Sequence, residues 1–462
     1  MTARHTFDPT VLREYDVRGI VGTTLGEADA LALGAAFGTC VAEAGGRTVA
    51  VGYDGRDSSP GFAAAVVKGL TSCGLTAVRV GRGPSPMTYF AAKTLPTDAA
   101  LMITGSHNPP DYNGFKMSIR GAAFFGEDIQ RLGRIAAEAA YATGEGAVED
   151  RDVRVAYADR LVEEYRGDGG LKIAWDPGNG AASEIVAYVC SRLPGRHYVI
   201  NGTIDGSFPN HHPDPTVAEN LEQLQDVVAR HGCDLGVAFD GDGDRVGAID
   251  GQGRIVYADQ LMLIFAHEVL AERKGAPIVA DVKCSQVLFD EIVRAGGEPV
   301  MWKTGHSLTK TKMQELDAPL AGEMSGHIFF GDRYYGFDDA VYAAVRLISL
   351  VATGGRTLDQ IHDALPRVVN TPELRFTVDE ARKFAIVEEI RGRLQADGAD
   401  LNALDGVRVK SGDGWWLLRA SNTQDVLTAR CEALSDAGLV TLKGELAGQL
   451  RLSGVEPPAE LD

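Results

Sequence analysis

The sequence predicts an α/β protein followed by a smaller α+β unit at its C-terminal end. Three observations lead there. Up to about residue 365, short apolar runs alternate with helical stretches across glycine-rich turns, as in βαβ units with parallel or mixed sheets covered on both faces. Beyond that point strands follow one another through short turns. Glycine makes up 55 of the 462 residues, about 12% against a usual ~7%, while proline stays at 19. Glycine enriched without proline fits tight turns, or loops where backbone approaches a ligand, rather than low-complexity sequence.

In chain order, Thr48–Tyr53 reads as a buried strand, and Asp54-Gly55-Arg56-Asp57-Ser58-Ser59-Pro60 as a turn into a helix over Ala63–Leu70. Thr76–Val80 and Ala99–Thr104 are the next strands. Leu171–Trp175 is another, followed by Asp176-Pro177-Gly178-Asn179-Gly180 and a helix through Cys190. Asp234–Phe239, Pro277–Ala280 and Pro299–Trp302 continue the series. After Pro366 come a strand over Leu374–Val378 and a helix over Asp379–Gln395 with Val387, Ile390 and Leu394 on one face. Strands over Val407–Lys410, Trp415–Arg419 and Val426–Cys431 and a last helix over about Leu439–Leu450 complete the chain. Linkers near 150, 253 and 366 divide it into units 1–150, 151–253, 254–366 and 367–462; the one at Asp250-Gly251-Gln252-Gly253 also reads as a simple turn.

A chain this long buries enough surface to fold without disulfide or metal staples. The net charge of −19 and the absence of a Lys/Arg block argue against nucleic acid or an anionic membrane as partner. Any phosphate ligand then requires a site that is locally positive inside a negative molecule. The six cysteines, at 40, 73, 190, 233, 284 and 431, show no metal-ligand spacing and fit free thiols in a reducing cytoplasm. The N-terminal residues carry no apolar signal core, and the longest apolar stretch tested, Leu261–Leu270, is far short of the ~20 residues of a membrane span.

Four loops carry recognisable chemistry. Thr104-Gly105-Ser106-His107-Asn108-Pro109-Pro110-Asp111-Tyr112-Asn113-Gly114-Phe115-Lys116 follows a strand and reads as a stiff, exposed loop. Ser106, beside His107 and near Lys116, has the setting of a covalent nucleophile, or of a helix-capping residue. In Asp240-Gly241-Asp242-Gly243-Asp244-Arg245 three carboxylates alternate with glycine. Such crowding calls for a cation or full solvation, and hard oxygen ligands point to Mg²⁺ or Ca²⁺. An EF-hand is excluded, because its sixth position holds Arg245 and its twelfth Gly251. Arg245 beside the acids makes sense if an anion binds next to the metal. Gly322-Glu323-Met324-Ser325-Gly326-His327 suits vicinal sugar hydroxyls, or is a turn with a solvated histidine. Arg419-Ala420-Ser421-Asn422-Thr423 holds the donors of a phosphate cradle, or forms a hairpin tip.

Together, in this order and over essentially the whole chain, the four loops resemble those of the α-D-phosphohexomutases: phosphoserine, magnesium, sugar-binding and phosphate-binding loops in turn. Met324 resembles the phosphomannomutase/phosphoglucomutase branch, as do Tyr15-Asp16-Val17-Arg18-Gly19-Ile20 and Lys303-Thr304-Gly305-His306; Lys283 matches a substrate-contacting lysine. The resemblance implies three related α/β domains and a smaller C-terminal α+β domain around a central cleft. It implies an isomerase, a monomer or small homo-oligomer acting on hexose phosphates of mannose or glucose; the cytoplasmic placement is expected from the absence of targeting signals. Phosphoglucosamine mutase and a metal-dependent sugar phosphatase are the alternatives.

The implied roles are as follows. Ser106 carries the phosphate and, with Asp240, Asp242 and Asp244, binds Mg²⁺, while Arg245 adds a second positive contact. A hexose 1,6-bisphosphate is the intermediate and activator, turning over in a cleft that the C-terminal domain closes. Lys116, His107, His327 and Arg18 are the candidates for proton transfer. Tyr15, Lys283, His306, Glu323, Met324, Ser325, Gly326 and His327 contact substrate, and Arg419, Ala420, Ser421, Asn422 and Thr423 hold the non-reacting phosphate.

Overall fold

A computed structural model describes residues 3–421 and 426–461. Its first three sheets repeat one topology. The first runs in the order Val17–Ile20, Tyr112–Ile119, Ala99–Ile103, Thr48–Tyr53, Thr76–Arg82, Val148–Asp150, with Ala122–Ala123 paired to Tyr112–Ile119. The second runs Ile255–Val256, Val246–Asp250, Leu235–Phe239, Lys172–Asp176, Arg196–Val199. The third runs Glu298–Trp302, Pro277–Asp281, Leu320–Gly322, Ile328–Phe330. In each, the first parallel strand lies between the second and the third, and an antiparallel strand then pairs with the third. Ala99–Ile103 and Leu235–Phe239 are buried at every position, as strands covered on both faces must be.

This repeat positions three of the four loops. The turn from the third parallel strand into its antiparallel neighbour is 104–111 in the first unit, 240–245 in the second and 323–327 in the third. Each lies at the carboxyl end of a parallel strand, where open α/β sheets bind ligands. One hydrophobic core runs through all three units, from Met87 and Phe90 through Trp175 and Phe239 to Phe265, Phe330 and Ile348. The three loops therefore stand on one frame.

The fourth sheet is antiparallel throughout. It runs Val369–Asn370, Val426–Ala433, Gly414–Ala420, Val407–Lys410, Leu401–Asn402, with Leu374–Thr377 also on Val426–Ala433. It has a separate core containing Ile390, Trp416 and Leu446, closed by the helices Glu380–Ala396 and Asp436–Leu452. The last helix starts three residues ahead of the expected Leu439, because Ser435 caps it by accepting from Gly438 N–H. Polar groups join this unit to the third. Arg408 Nη1 donates to Cys284 O at 2.9 Å and stacks its guanidinium on Trp415 at 3.6 Å; Arg430 Nη1 reaches Asp259 Oδ2 at 3.1 Å.

Of the two readings offered for Asp250–Gly253, the structure has the simple turn, a hairpin within the second sheet, since Ile255–Val256 pairs back onto Val246–Asp250. The reading of 104–116 as an exposed loop is corrected: the segment is exposed only at its tip, Pro109–Asp111. Ser106 is only 2% exposed, and Tyr112–Lys116 belongs to the antiparallel strand Tyr112–Ile119. Its prolines and glycines do shape a tight turn, but the second unit packs over it. Among the described residues no helix is long and apolar enough to cross a membrane; Leu261–Leu270 lies inside the buried helix Ala258–Glu272.

The contact between the first and second units demands glycine at one point. A Cβ on Gly241 would stand 2.4 Å from the Ser106 carbonyl oxygen, a backbone atom that cannot swing aside. Gly241→Ala is therefore expected to lower unfolding stability by about 1–3 kcal/mol, measured as a shift of the denaturant midpoint. An unchanged midpoint would mean that the two loops are not packed this closely.

Candidate functional site

The four units meet around a cleft of about 160 Å³. Seven basic side chains line it (Arg13, Arg18, Lys116, Arg245, Lys283, Arg375, Arg419) against three carboxylates (Asp16, Glu323, Glu373). In a chain of net charge −19 this is the local reversal that an anionic ligand requires.

Ser106 stands at the cleft floor with φ of 48°, a left-handed backbone rare outside glycine. Its N–H donates to Thr104 Oγ1 at 2.8 Å. Its Oγ donates to Asp240 Oδ2 at 3.0 Å and lies 3.3 Å from His107 Nδ1. Arg18 braces the same loop through Gly105 O at 2.9 Å and the Asn108 side chain. Burial, with Arg245 and Arg18 close by, holds the His107 imidazole well below its ordinary pKa, so it is neutral near pH 7.

Beneath Ser106 lie Asp240, Asp242 and Asp244, each fully buried. Asp240 Oδ1 accepts the N–H groups of Asp244 and Arg245 at 3.1 and 3.2 Å, which curls the acid loop back on itself. Ser85 Oγ donates to Asp242, and Lys116 Nζ pairs with Asp242 Oδ2 at 2.7 Å and with Asp244. Burial opposes the Lys116 charge, but Asp242 and Asp244 outweigh it and raise its pKa well above the ordinary lysine value. Burial and the two neighbouring acids also push the Asp240 carboxyl up, well above the usual carboxylate range. Asp242 Oδ1 and Asp244 Oδ1 are buried with no hydrogen-bond partner. The three carboxylates offer oxygens within 4.8 Å of one another. Hard oxygens, orphaned and converging, fit a divalent cation.

His327 links this floor to the third unit. Its Nε2 accepts from Arg245 Nε at 3.0 Å, and its Nδ1 lies 3.1 Å from Asp338 Oδ2. His306 stacks on it at 5.4 Å between ring centres. Glu323 Oε1 accepts from Gly305 N–H at 3.0 Å and Thr309 Oγ1 at 2.7 Å, while Oε2 accepts from Ser325 at 3.1 Å. Tyr15 OH donates to Thr304 O at 3.1 Å, bringing the first unit against the third.

The fourth unit supplies Arg419 and Ser421 at the end of Gly414–Ala420. Arg419 Nε pairs with Asp405 Oδ2 at 3.2 Å, and the same oxygen accepts Thr304 N–H at 3.0 Å. Asn422 and Thr423 lie outside the described residues.

Ser106, His107, Arg18, Lys116, Arg245, Tyr15, Lys283, His306, Glu323, Ser325, His327, Arg419 and Ser421 thus share one cleft. Met324, Gly326 and Ala420 do not line it. The Met324 sulfur lies 3.2 Å from Arg430 Nη1, Gly326 packs on the Val246 carbonyl, and Ala420 pairs with Leu427 in the sheet. Eight wall residues were given no role by the sequence reading: Arg13, Asp16, Asn108, Thr304, Gly305, Glu373, Arg375 and Thr428. Glu373 Oε2 pairs with Lys283 at 2.8 Å and Oε1 with Arg375 at 2.8 Å; burial opposes its charge, but the two cations hold its carboxyl well below the usual range. Asn108 stood inside a quoted motif, but nothing near Glu373 repeats or clusters in sequence.

Comparison with known proteins agrees with this geometry. The chain matches the phosphoglucomutase/phosphomannomutase α/β/α domain I over residues 9–142, domain II over 155–253, domain III over 257–369 and the C-terminal domain over 373–449. It is 42% identical over 446 residues to the phosphomannomutase/phosphoglucomutase of Pseudomonas aeruginosa, covering 96% of each chain. It is 39% identical to the phosphoglucomutase of Neisseria gonorrhoeae, covering 93% of this chain and 94% of that one. Among solved structures, a phosphoglucomutase/phosphomannomutase family protein from Burkholderia thailandensis superposes with a TM-score of 0.92 at 41% identity, covering 97% of this chain and 98% of the other. Four domains matched in sequence order, with their loops converging on one basic cleft, make this chain a member of the phosphoglucomutase/phosphomannomutase family.

Proposed function

We propose that this chain moves a phosphoryl group reversibly between the 1- and 6-positions of a hexose phosphate, with mannose and glucose as its sugars. The step runs through a phosphorylated Ser106 and a hexose 1,6-bisphosphate. The observation that carries this reading is the seat of Ser106. Its hydroxyl lies 3.0 Å from the acid cluster, in a cleft that Arg419 and Ser421 also line.

The free sugar hydroxyl attacks the phosphorus on Ser106, a P–O bond forms to the sugar and the P–Oγ bond breaks. The hydroxyl proton leaves and Oγ regains one. Of the four proton-transfer candidates, His107 stands nearest Oγ. Lys116 is engaged by Asp242 and Asp244, Arg18 by Asp16 and Asn108, and His327 by Arg245. The bisphosphate then turns end for end, and its other phosphate returns to Ser106. Asp240, Asp242, Asp244 and Ser106 would hold Mg²⁺, which when bound supplies neutralisation of charge on the transferring oxygens. Arg245, oriented by His327, faces the same oxygens from the cleft side. Glu323 and Ser325 take ring hydroxyls; Tyr15, Lys283 and His306 flank the sugar; Arg419, Ser421, Asn422 and Thr423 hold the phosphate that does not react. The six cysteines are unpaired, in keeping with a cytoplasmic setting.

Incubated with mannose 1-phosphate or glucose 1-phosphate, the protein should yield the 6-phosphate without inorganic phosphate. Release of inorganic phosphate would favour a phosphatase, and turnover of glucosamine phosphate alone would move the sugar assignment. Ser106→Ala should fall below about 1% of wild-type turnover while melting at an unchanged temperature; full activity would remove Ser106 from the chemistry. Arg419→Ala should raise KM by about 10–100-fold, the loss of one charge-assisted phosphate contact. An unchanged KM would send the anchor elsewhere. Chelation with EDTA should abolish turnover and added Mg²⁺ restore it; turnover that survives chelation would leave the acid cluster without its assigned ion.

A further inference from the structure

Arg56 lies outside every assigned loop, yet its side chain, 1% exposed, sits directly under the Ser106 turn. Its Nη2 donates to Ser106 O at 2.8 Å and Asn108 O at 2.6 Å, and its Nη1 to Pro109 O at 2.5 Å and Tyr112 O at 3.0 Å. Three carbonyls of the turn and that of Tyr112, the first residue of the strand after it, thus converge on one guanidinium. Asp54 completes the grip from the other side. Its Oδ2 lies 3.2 Å from Arg56 Nε and accepts Gly105 N–H at 3.2 Å. A Cβ on Gly105 would stand 2.5 Å from the guanidinium carbon, so the turn rests flat on the cation. The second unit covers the far face, with Phe208 5.1 Å from the same carbon.

Such a grip has a specific consequence. A serine at φ of 48° costs of order 1–2 kcal/mol and persists only where its surroundings over-determine it. The Ser106 carbonyl is held by Arg56 on one side and abutted by Gly241 of the acid loop on the other. Fixing that carbonyl fixes the direction of the Cα–Cβ bond that carries Oγ, and so places Oγ within its 3.0 Å reach of Asp240 in one staggered rotamer. A lysine can keep the charge but cannot present the planar fork that serves four carbonyls at once.

We propose that Arg56, held by Asp54, is a positioning residue for phosphoryl transfer: it sets the Ser106 turn against the acid loop and touches neither sugar nor phosphate. This rests on the reading of Ser106 as the phosphoryl carrier.

The test compares wild type with Arg56→Lys. Ser106 is first loaded by glucose 1,6-bisphosphate, with occupancy read by intact mass, and single-turnover transfer to glucose 6-phosphate is then followed. The expected result is a loss of about 100-fold in transfer rate and in kcat, with KM within about threefold of wild type and the melting transition still cooperative. A purely structural role would lower kcat only by the fraction of protein unfolded and would leave the loaded, folded enzyme transferring at the wild-type rate. That wild-type rate, or a loss confined to KM, overturns the proposal. If Arg56→Lys does not fold, Asp54→Asn takes its place, with a rate loss of the same sign expected and a wild-type rate again overturning it. If wild type itself takes up no phosphate on Ser106, the failure belongs to the mutase reading and shows as such.

Discussion

Three fully buried carboxylates, at Asp240, Asp242 and Asp244, repel one another strongly unless cations meet them. Everything else at this site answers that constraint. Lys116 crosses from the first unit to pair with Asp242 and Asp244, Ser106 donates to Asp240, and Ser85 donates to the Asp242 oxygen that Lys116 also reaches. Two carboxylate oxygens are still left over. The protein therefore concentrates unsatisfied negative charge directly beneath a hydroxyl, and surrounds the space above it with guanidinium and ammonium groups. This arrangement places opposite fields on either side of one oxygen, which is what transfer of a highly charged group between two oxygens demands.

The fold meets the constraint by repetition. Each of the first three sheets turns from its third parallel strand into an antiparallel one, and each such turn faces the same cleft. Because one core runs through all three units, these turns are fixed relative to one another. The fourth unit has its own core and meets the third through a small apolar cluster of Val282, Trp415 and Leu417 and through charged pairs such as Arg430 with Asp259. An acid floor on the shared frame and the Arg419 guanidinium on a separately packed unit suit a ligand that is released and regripped in the opposite orientation.

Much of this was legible in sequence, and the limits have physical causes. Thr48–Tyr53 announces itself through an apolar run and Val407–Lys410 through apolar residues alternating with charged ones between turns, and the structure keeps those bounds. The loops are readable because their chemistry is contiguous: Asp240-Gly241-Asp242-Gly243-Asp244 holds three carboxylates in five residues. What escaped depends on distant partners. Ser106 looked exposed because proline, glycine and asparagine usually mark surface turns, and only the second unit's packing buries it. Arg56 read as part of a helix entry, since its four carbonyl partners lie 50 to 56 residues away. Glu373 is a lone acid whose meaning comes from Lys283 in another unit and from Arg375 beside it.

Peptide mass spectrometry of wild-type protein, after exposure to glucose 1,6-bisphosphate, addresses the core of this account most directly. One phosphate located on the Ser106 hydroxyl, and lost on adding excess glucose 6-phosphate, is the outcome the geometry predicts. Phosphate found on an aspartate of the 240–244 turn, or no phosphate anywhere, would contradict it.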